Sequence, residues 1–511
     1  MASEGLFDYI VIGAGAAGSV IADRLSKAGA TVLLLEAGGP DTTPAIREMG
    51  GFVSLWGSDI DWKLPTSEQP GLGGRSLVIN QGKVLGGSTA INAMMYVRGN
   101  RRNYDLWNAL GADGWNFEQI LPVFKSLEDY QGIPSEYHGV GGPIPVRDCP
   151  DLVMRSEAFM NACVEAGFDG PYWDSNGERQ ENGAGLLQFH IDAQGRRASA
   201  ASVFLAPAQS RANFSLRTGA LVTRILFQGQ RAVGVEYLQG GQRFTAQASQ
   251  EIILSAGAFF SPKLLLQSGI GPADELKSVA SADIPLVVDL PGVGKNLQDH
   301  MQLPVVFQTK VNIPNTTLLT GNALFVRTRQ GSPAAAPDLQ LNFTPSVPAA
   351  LAPILNIPVP ACIFLPILVQ PFSTGEVRLR SSDPLEAPVI NPGYLRQAAD
   401  LNVFIDAVRL IREIASASAF ADMNVAELVP GPGADLEGFI RSQSSTLWHP
   451  AGTCKMGQDA LAVVDPQLRV YGVEGLRVAD ASIMPTVTSG NTVAPCFMIG
   501  ARAANFILGE E

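Results

Sequence analysis

The sequence predicts an α/β fold with an added antiparallel sheet, so that the chain is α+β overall. Three observations lead to this class: a strand, glycine turn, helix and strand follow one another within residues 9–36; residues 220–238 show a hairpin pattern; and residues 475–508 return to the strand-and-helix style of the start. The chain has 511 residues, of which 46% are hydrophobic and 16% are charged. This length and composition indicate a globular protein of more than one domain.

The first unit is a βαβ unit at the N-terminus. The β-branched run Tyr9–Ile12 predicts a buried strand, and residues 19–27 carry apolar residues at helical spacing. A second apolar strand, residues 31–35, ends on Glu36. A glycine turn joins the first strand to the helix, and this order is typical of a dinucleotide-binding unit.

The glycines of that turn have separate physical roles. Gly13 allows the tight bend, Gly15 lets the backbone approach a pyrophosphate, and Gly18 lets the helix pack closely on the strand. Glu36 stands where a carboxylate accepts hydrogen bonds from ribose hydroxyls, and its charge disfavours a 2′-phosphate. The pattern therefore favours FAD or NAD over NADP.

The later elements add antiparallel strands and then return to the first domain. Residues 220–227 and 232–238 predict a hairpin, and residues 251–254 predict a strand. Near the C-terminus, residues 475–480 predict a strand and residues 491–508 a helix. We expect the C-terminal segment to complete the dinucleotide-binding domain.

Charge and cysteine content limit the class of partner. The formal charge is -12, with 48 acidic and 36 basic residues, so attraction to nucleic acid is not expected. The 5 cysteines are scattered without a CxxC pattern, which favours neither disulfides nor a metal site. The N-terminus lacks the basic and apolar regions of a signal peptide. We therefore expect a cytoplasmic protein whose partner is a small molecule.

The most apolar stretch, Val347–Val369, approaches membrane-spanning length, but five prolines interrupt it. We do not expect it to span a membrane. The sequence leaves two interpretations open for it: the core of a second domain, or the lining of a substrate cleft.

Seven motif segments are spread over nearly the whole chain. They are Gly82–Asn92, Tyr96–Gly99, Ser255–Pro272, Leu290–His300, Trp448–Gly457, Val478–Pro485 and Ser489–Thr492. These segments resemble the signature motifs of one family, the glucose-methanol-choline (GMC) flavoprotein oxidoreductases.

The resemblance implies an FAD-binding domain assembled from separated segments and a substrate-binding domain on an antiparallel sheet. The FAD-binding segments would be residues 1–155, 207–304 and 441–511, and the substrate-binding segments residues 156–206 and 305–440. The FAD contacts that it implies are Gly13, Gly15, Gly18 and Glu36 at the ADP half, Gly87 in the second glycine loop, Val222 at the adenine, and Asn92, Asp480, Asn491 and Thr492 on the flavin side.

FAD is expected to be noncovalent. Ile91 occupies the region where some family members attach FAD through a histidine, and no His or Cys stands between Gly82 and Tyr96.

The chain has only 4 histidines, and a histidine is the usual general base for an alcohol near neutral pH. The resemblance assigns that role to His449. His300 matches a family position of structural character, whereas His138 and His190 lie outside the matched motifs.

Asn491 matches the second active-site position, where an uncharged amide can stabilise a forming alkoxide. Its alternative role is a helix N-cap, because Asn is favoured there and an apolar helix follows. Trp448, beside the predicted base, could stack on a substrate or belong to the core.

These features predict FAD-dependent oxidation of a primary alcohol to an aldehyde, with hydride transfer to flavin N5. Because Val347–Val369 carries no charged residue, we expect an uncharged apolar alcohol, aromatic or aliphatic, rather than choline or glucose. The electron acceptor could be oxygen or another acceptor. The alternative is a GMC-like lyase, either a hydroxynitrile lyase or a fatty-acid photodecarboxylase, where Val369 stands at the position of the decarboxylase cysteine.

Overall fold

The computed structural model describes residues 2–150, 154–279, 284–310, 318, 320–328, 335–347 and 360–510. Its strands are β1 (Ala2–Ile12), β2 (Val32–Leu35), β3 (Leu64–Pro65), β4 (Val78–Ile79), β5 (Glu128–Tyr130), β6 (Ile144–Asp148), β7 (Gly183–Leu186), β8 (Gln188–Phe189), β9 (Phe214–Arg217), β10 (Ala220–Gln228), β11 (Arg231–Gln239), β12 (Gln242–Leu254), β13 (Ile270–Gly271), β14 (Val288–Asp289), β15 (Met301–Gln302), β16 (Val305–Thr309), β17 (Asn322–Val326), β18 (Leu339–Thr344), β19 (Ala361–Leu368), β20 (Glu376–Arg378), β21 (Val389–Asn391), β22 (Asn424–Val429), β23 (Ser445–Thr446) and β24 (Leu476–Val478).

The α-helices of the described residues are α1 (Ala16–Lys27), α2 (Phe52–Leu55), α3 (Arg101–Ala109), α4 (Phe117–Leu127), α5 (Met154–Glu165), α6 (Ala206–Ala208), α7 (Gly257–Gln267), α8 (Ala273–Ser278), α9 (Ala398–Ala415), α10 (Leu436–Gln443) and α11 (Val493–Leu508). A π-helical turn, Ala201–Leu205, precedes α6, and short 3-10 turns include Gly87–Ala90 and Ala481–Ile483. None of the described helices is long and apolar enough to cross a bilayer.

The first sheet contains the predicted βαβ unit. Its described strands run in the order β10-β11-β12-β1-β2-β9, and β24 pairs with β12 beside this path. The pairs around β1 are parallel, whereas β10, β11 and β12 pair antiparallel as the hairpin pattern predicted. Strand β1 is longer than predicted because it pairs along most of β12. The mixed α/β class is thus confirmed.

The C-terminal segment returns to this first sheet. β24 pairs parallel with the end of β12, and helix α11 packs on α1. The helices come close at Gly500, where a Cβ atom would lie 2.5 Å from the carbonyl oxygen of Ala17. The predicted strand at residues 475–480 is shorter in the structure, and the predicted helix at residues 491–508 begins at Val493.

The second sheet is antiparallel. Within the described residues its order is β22-β16-β19-β18-β17-β7, and β15 joins β19 to β23. One face carries Leu341, Phe343 and Phe364, which pack with α5 and α9 in a second apolar core. The other face carries the alternate residues of the same strands, and it borders the site described below. β15 and β23 lie in segments that the resemblance assigned to the FAD-binding domain, although they pair in this sheet.

The apolar stretch Val347–Val369 is described only in part. Residues 348–359, with Leu351, Ile354, Leu355 and Ile357, lie outside the described residues. The remainder contains β19, a strand that pairs with β15, β16 and β18. Both of its faces are largely buried, so it serves the core on one side and the site on the other.

Candidate active site

A large cavity of about 810 Å³ collects residues from both sheets. Ten of the eleven predicted site residues line it, although they come from segments hundreds of residues apart. They are Gly13, Gly15, Glu36, Gly87, Asn92, Val222, His449, Asp480, Asn491 and Thr492. Gly18 does not line the cavity; it lies behind the turn, against Gly13.

The glycine turn forms a tight cradle at one end of the cavity, which we call the nucleotide end. A Cβ atom at Gly18 would lie 2.0 Å from the carbonyl oxygen of Gly13, so only glycine fits there. A Cβ at Gly15 would meet no protein atom within 4 Å, because this residue faces the cavity. A Cβ at Gly87 would lie 2.8 Å from the Cα of Gly15, so the two glycine loops can lie this close only because residue 87 has no side chain.

Glu36 lies beside this cradle with its carboxylate buried. Its oxygens accept hydrogen bonds from the backbone N–H groups of Ala14, at 2.9 Å, and Gly38, at 2.7 Å. Burial raises the pKa of Glu36, and these two hydrogen bonds oppose that rise. Helix α1 begins after Gly15 without a side-chain cap, which leaves its first N–H groups available to an anion.

The side chains of Asn92 and Asp480 are already engaged within the protein. Asn92 Oδ1 accepts from Arg197 Nη1 at 2.6 Å, and its amide nitrogen lies 3.2 Å from Nε2 of His190. Asp480 accepts from the N–H of Gly257 at 2.9 Å, from the hydroxyl of Ser261 and from the N–H of Ser482. Both residues line the cavity while they hold its loops in place.

His449 and Asn491 meet at the other end of the cavity, which we call the catalytic end. Nε2 of His449 lies 3.4 Å from Nδ2 of Asn491. The Oδ1 atom of Asn491 is buried and has no hydrogen-bond partner among the described residues. The N-cap of α11 is Thr492, without a side-chain cap bond. The N-cap role considered for Asn491 is therefore absent, and its amide points to the histidine instead.

His300 contacts His449 directly, which the sequence did not predict. Their Nδ1 atoms are 3.0 Å apart and the rings are nearly perpendicular, at 86°. Two neutral imidazoles in this contact share one proton, so the ring that donates fixes the tautomer of the pair. When Nδ1 of His449 donates, its Nε2 is left as an acceptor toward Asn491.

The backbone around His449 is held under strain. Trp448 has a φ of +63°, in the left-handed region that L-residues rarely adopt. Its N–H donates to Thr446 Oγ1 at 2.8 Å, and the N–H of His449 donates to Asp299 Oδ1 at 2.7 Å. Tyr394 and Thr446 donate to the other oxygen of Asp299. These bonds oppose the cost of the turn and fix the position of the imidazole.

Burial decides the charge of these groups. It lowers the pKa of His449 to about 3 and takes the pKa of His300 well below its usual value. Burial also raises the pKa of Asp299 to about 6, while its hydrogen bonds oppose the rise. At neutral pH both imidazoles are uncharged, so His449 can accept a proton.

Besides Trp448, the catalytic end contains residues that the sequence analysis did not single out. One is Trp56, whose ring centroid lies 4.6 Å from that of Trp448, and both residues line the cavity. Gln302, Asn342 and Thr344 line it from β15 and β18. The alternating pattern of residues 339–344 was a visible signal, but such a pattern ordinarily indicates a strand with one face in solvent.

Family models confirm the resemblance. Two models described as GMC oxidoreductase match residues 7–302 and 371–500. The chain belongs to the GMC oxidoreductase family. It is 40% identical to an oxygen-dependent choline dehydrogenase of Burkholderia multivorans, over 99% of this chain and 94% of that protein.

Solved structures of GMC-type enzymes have the same fold. Pyridoxine 4-oxidase from Mesorbium loti superposes with a TM-score of 0.90 at 31% identity, covering 99% of this chain and 100% of that chain. An FAD-dependent oxidoreductase from Chaetomium thermophilum superposes with a TM-score of 0.88 at 27% identity, covering 99% of both chains. This GMC oxidoreductase is accordingly an FAD-dependent enzyme.

The residues present fit FAD. The open position at Gly15, the uncapped start of α1 and the buried carboxylate of Glu36 provide the surroundings that a pyrophosphate and a ribose require. Val222 lines the same cavity, and its contact with the adenine stays a prediction. That FAD is held without a covalent bond stays a prediction.

Proposed function

We propose that this GMC oxidoreductase oxidises an uncharged primary alcohol with an apolar body, aromatic or aliphatic, to its aldehyde. The observation that carries the proposal is the pairing of His449 and Asn491 in one cavity with the nucleotide cradle. A neutral imidazole and an amide are the groups needed to accept a hydroxyl proton and to stabilise the oxygen that loses it.

In the proposed reaction His449 Nε2 accepts the hydroxyl proton, and the amide of Asn491 donates a hydrogen bond to the developing alkoxide. His300 holds the tautomer in which Nε2 is unprotonated, and Asp299 holds the backbone of His449 in place. Bound FAD would supply the two-electron acceptor for the hydride that leaves the alcohol carbon. The residues of the chain thus accept the hydroxyl proton and hold its acceptor in position.

The lining of the cavity supports a neutral substrate. Among the described lining residues, the Asp, Glu, Lys and Arg side chains are limited to Glu36, Lys263 and Asp480. Glu36 and Asp480 accept backbone hydrogen bonds, and Lys263 donates to the carbonyl of Pro384. Trp56, Trp448 and aliphatic residues such as Leu365 offer apolar surface to the body of the alcohol.

Choline is the second candidate substrate, and two observations favour it. The chain is 39% identical over 99% of its length to an oxygen-dependent choline dehydrogenase of Burkholderia orbicola. The paired rings of Trp56 and Trp448 could also hold a quaternary ammonium by cation–π attraction. We rank choline second because no Asp or Glu of the described lining faces the cavity without other partners.

The test is an anaerobic substrate panel on the holoenzyme, with flavin bleaching as the measurement. Benzyl alcohol and hexanol should bleach the flavin with higher kcat/KM than choline or glucose. A higher kcat/KM for choline or glucose overturns the substrate assignment. Bleaching by none of the four, with fatty-acid loss under blue light, overturns alcohol oxidation in favour of the lyase alternative.

Air is readmitted at the end of the same experiment. Peroxide release identifies oxygen as the acceptor, and slow reoxidation identifies another acceptor.

We also propose a reducing cytoplasm as the compartment. The 5 cysteines, all within the described part of the chain, form no disulfide, which is compatible with this location.

A further inference from the structure

Strand β18 has an unusual pattern of burial. Its sequence alternates apolar and polar residues from Leu339 to Thr344, yet all six residues are buried. The apolar residues pack in the second core, and the polar residues Gln340, Asn342 and Thr344 lie on the opposite face. An alternating strand in an antiparallel sheet usually turns its polar face to water. Here that face borders the catalytic end of the cavity.

Two amides on this face are oriented by neighbours. Gln340 Nε2 donates to Asn342 Oδ1 at 3.0 Å, so Asn342 Nδ2 remains as a donor, without a partner among the described residues. Gln302 Nε2 donates to the carbonyl of Thr446 at 2.9 Å, so its Oε1 remains as an acceptor. Asn342 and Gln302 both line the cavity, as does Thr344. We call Gln302, Asn342 and Thr344 the polar strip.

The polar strip favours a ligand that makes hydrogen bonds to it. Its groups face the cavity, and a wholly apolar ligand that filled the cavity would leave them without partners, which costs binding free energy. The strip therefore indicates a ligand that makes these hydrogen bonds. No charged side chain belongs to the strip, and no charged side chain of the described residues makes a hydrogen bond to its amides, so the complementary group on the ligand is uncharged.

We infer that the substrate is a neutral alcohol with a second uncharged polar group, placed away from the hydroxyl that is oxidised, which accepts a hydrogen bond from Asn342 Nδ2. This inference rests on the proposed function and narrows it. The aromatic or aliphatic body lies against Trp56 and Trp448, and the second group reaches the polar strip. A ring nitrogen, an ether oxygen, a carbonyl or a second hydroxyl has the required chemistry.

The experiment compares matched alcohols on the holoenzyme. The probes are benzyl alcohol, 3- and 4-methoxybenzyl alcohol, and 3- and 4-pyridinemethanol, and kcat/KM for flavin reduction is measured for each. At least one of the four polar alcohols should exceed benzyl alcohol by about tenfold or more, because a site built to bind a polar group discriminates against an analogue that lacks it. No preference for any polar alcohol contradicts the inference.

Substitutions at Asn342 then locate the contact. Asn342→Leu and the isosteric Asn342→Asp both remove the amide donor, and the second variant preserves the shape of the site if the first binds FAD poorly. Within each variant, the ratio of kcat/KM for the preferred polar alcohol to kcat/KM for benzyl alcohol should fall to about threefold or less. Gln308→Leu removes a side-chain amide at an exposed position of β16 and should keep the full preference.

The outcomes separate this inference from the proposed function. If the flavin is bleached by benzyl alcohol but the Asn342 variants keep the full preference, the polar strip does not bind the substrate and alcohol oxidation stands. If no alcohol bleaches the flavin in the unmodified enzyme, the proposed function itself fails.

Discussion

The two ends of the cavity are built in different ways. The nucleotide end is made mainly of backbone. Gly13, Gly15 and Gly18 leave space, the start of α1 has no side-chain cap, and the N–H groups of Ala14 and Gly38 hold the carboxylate of Glu36. The catalytic end is made of side chains that converge from distant segments, as the contact between His300 and His449 illustrates. The first end tolerates few residue types at a few positions, whereas the second can change its specificity one side chain at a time.

This difference predicts that FAD binding and alcohol oxidation can be lost separately. Substitutions at the catalytic end should leave the flavin bound, and substitutions at the nucleotide end should release it without changing the proton acceptor. Two substitutions examine that separation and a pH series examines the buried histidines, in order from the largest expected effect to the smallest.

The largest effect is expected for His449→Ala. Loss of a general base typically slows proton transfer by about 10²- to 10⁴-fold, so anaerobic flavin reduction by the best alcohol of the panel should fall by at least about 100-fold. Flavin content, read from the ratio of visible to protein absorbance, should not change. A variant that lost FAD as well would show that the two ends are not independent.

A smaller effect, at the opposite end, is expected for Gly15→Ala. The backbone at Gly15 has a φ of −78°, which alanine adopts without strain, and the new Cβ meets no protein atom. The methyl group occupies the space where the pyrophosphate approaches, so the Kd for FAD should rise about 10- to 100-fold with the fold intact. Gly18→Ala is the matched comparison: its Cβ would lie 2.0 Å from a carbonyl oxygen, and the thermal unfolding temperature should fall too. Unchanged FAD affinity in Gly15→Ala would contradict the prediction that the pyrophosphate approaches the backbone at Gly15.

The smallest expected effect is on the pH dependence of the free energy of unfolding. Burial lowers the pKa of His449 and of His190 to about 3, and that of His300 also falls. The unfolded chain then binds more protons than the folded chain below about pH 6.5, the ordinary value for histidine. These groups contribute stability that is complete above that pH and is lost as the pH falls toward 3.

The measurement is the free energy of unfolding of the apoprotein in urea, from pH 6.5 down to pH 4. It should decrease with falling pH, although the raised pKa values of Asp299 and Glu36 act in the opposite direction. His190→Gln should reduce the slope of the free energy of unfolding against pH by an amount equivalent to at most one bound proton, because this ring lies outside the His300–His449 pair. A slope unchanged by His190→Gln would mean that His190 is not held neutral.

The nucleotide end could be predicted from the sequence more fully than the catalytic end. The βαβ unit was predictable because the close approach at Gly18 imposes one residue type on a short segment. His449 was found through the family motif, but its contact with His300 joins residues 149 apart, and no local pattern encodes that distance. The polar residues of β18 were visible as an alternation, yet only tertiary structure shows that their face is covered.

The return of the C-terminal segment to the first sheet has a consequence for biosynthesis. Arg24 of α1 donates a hydrogen bond to Asn505 of α11 across 481 residues of sequence, and β24 reaches β12 only after most of the chain has been translated. On the ribosome one side of α1 therefore stays uncovered until α11 has been translated. We expect stable incorporation of FAD only after the segment with Asp480, Asn491 and Thr492 has been made, because these residues line the same cavity as the glycine turn.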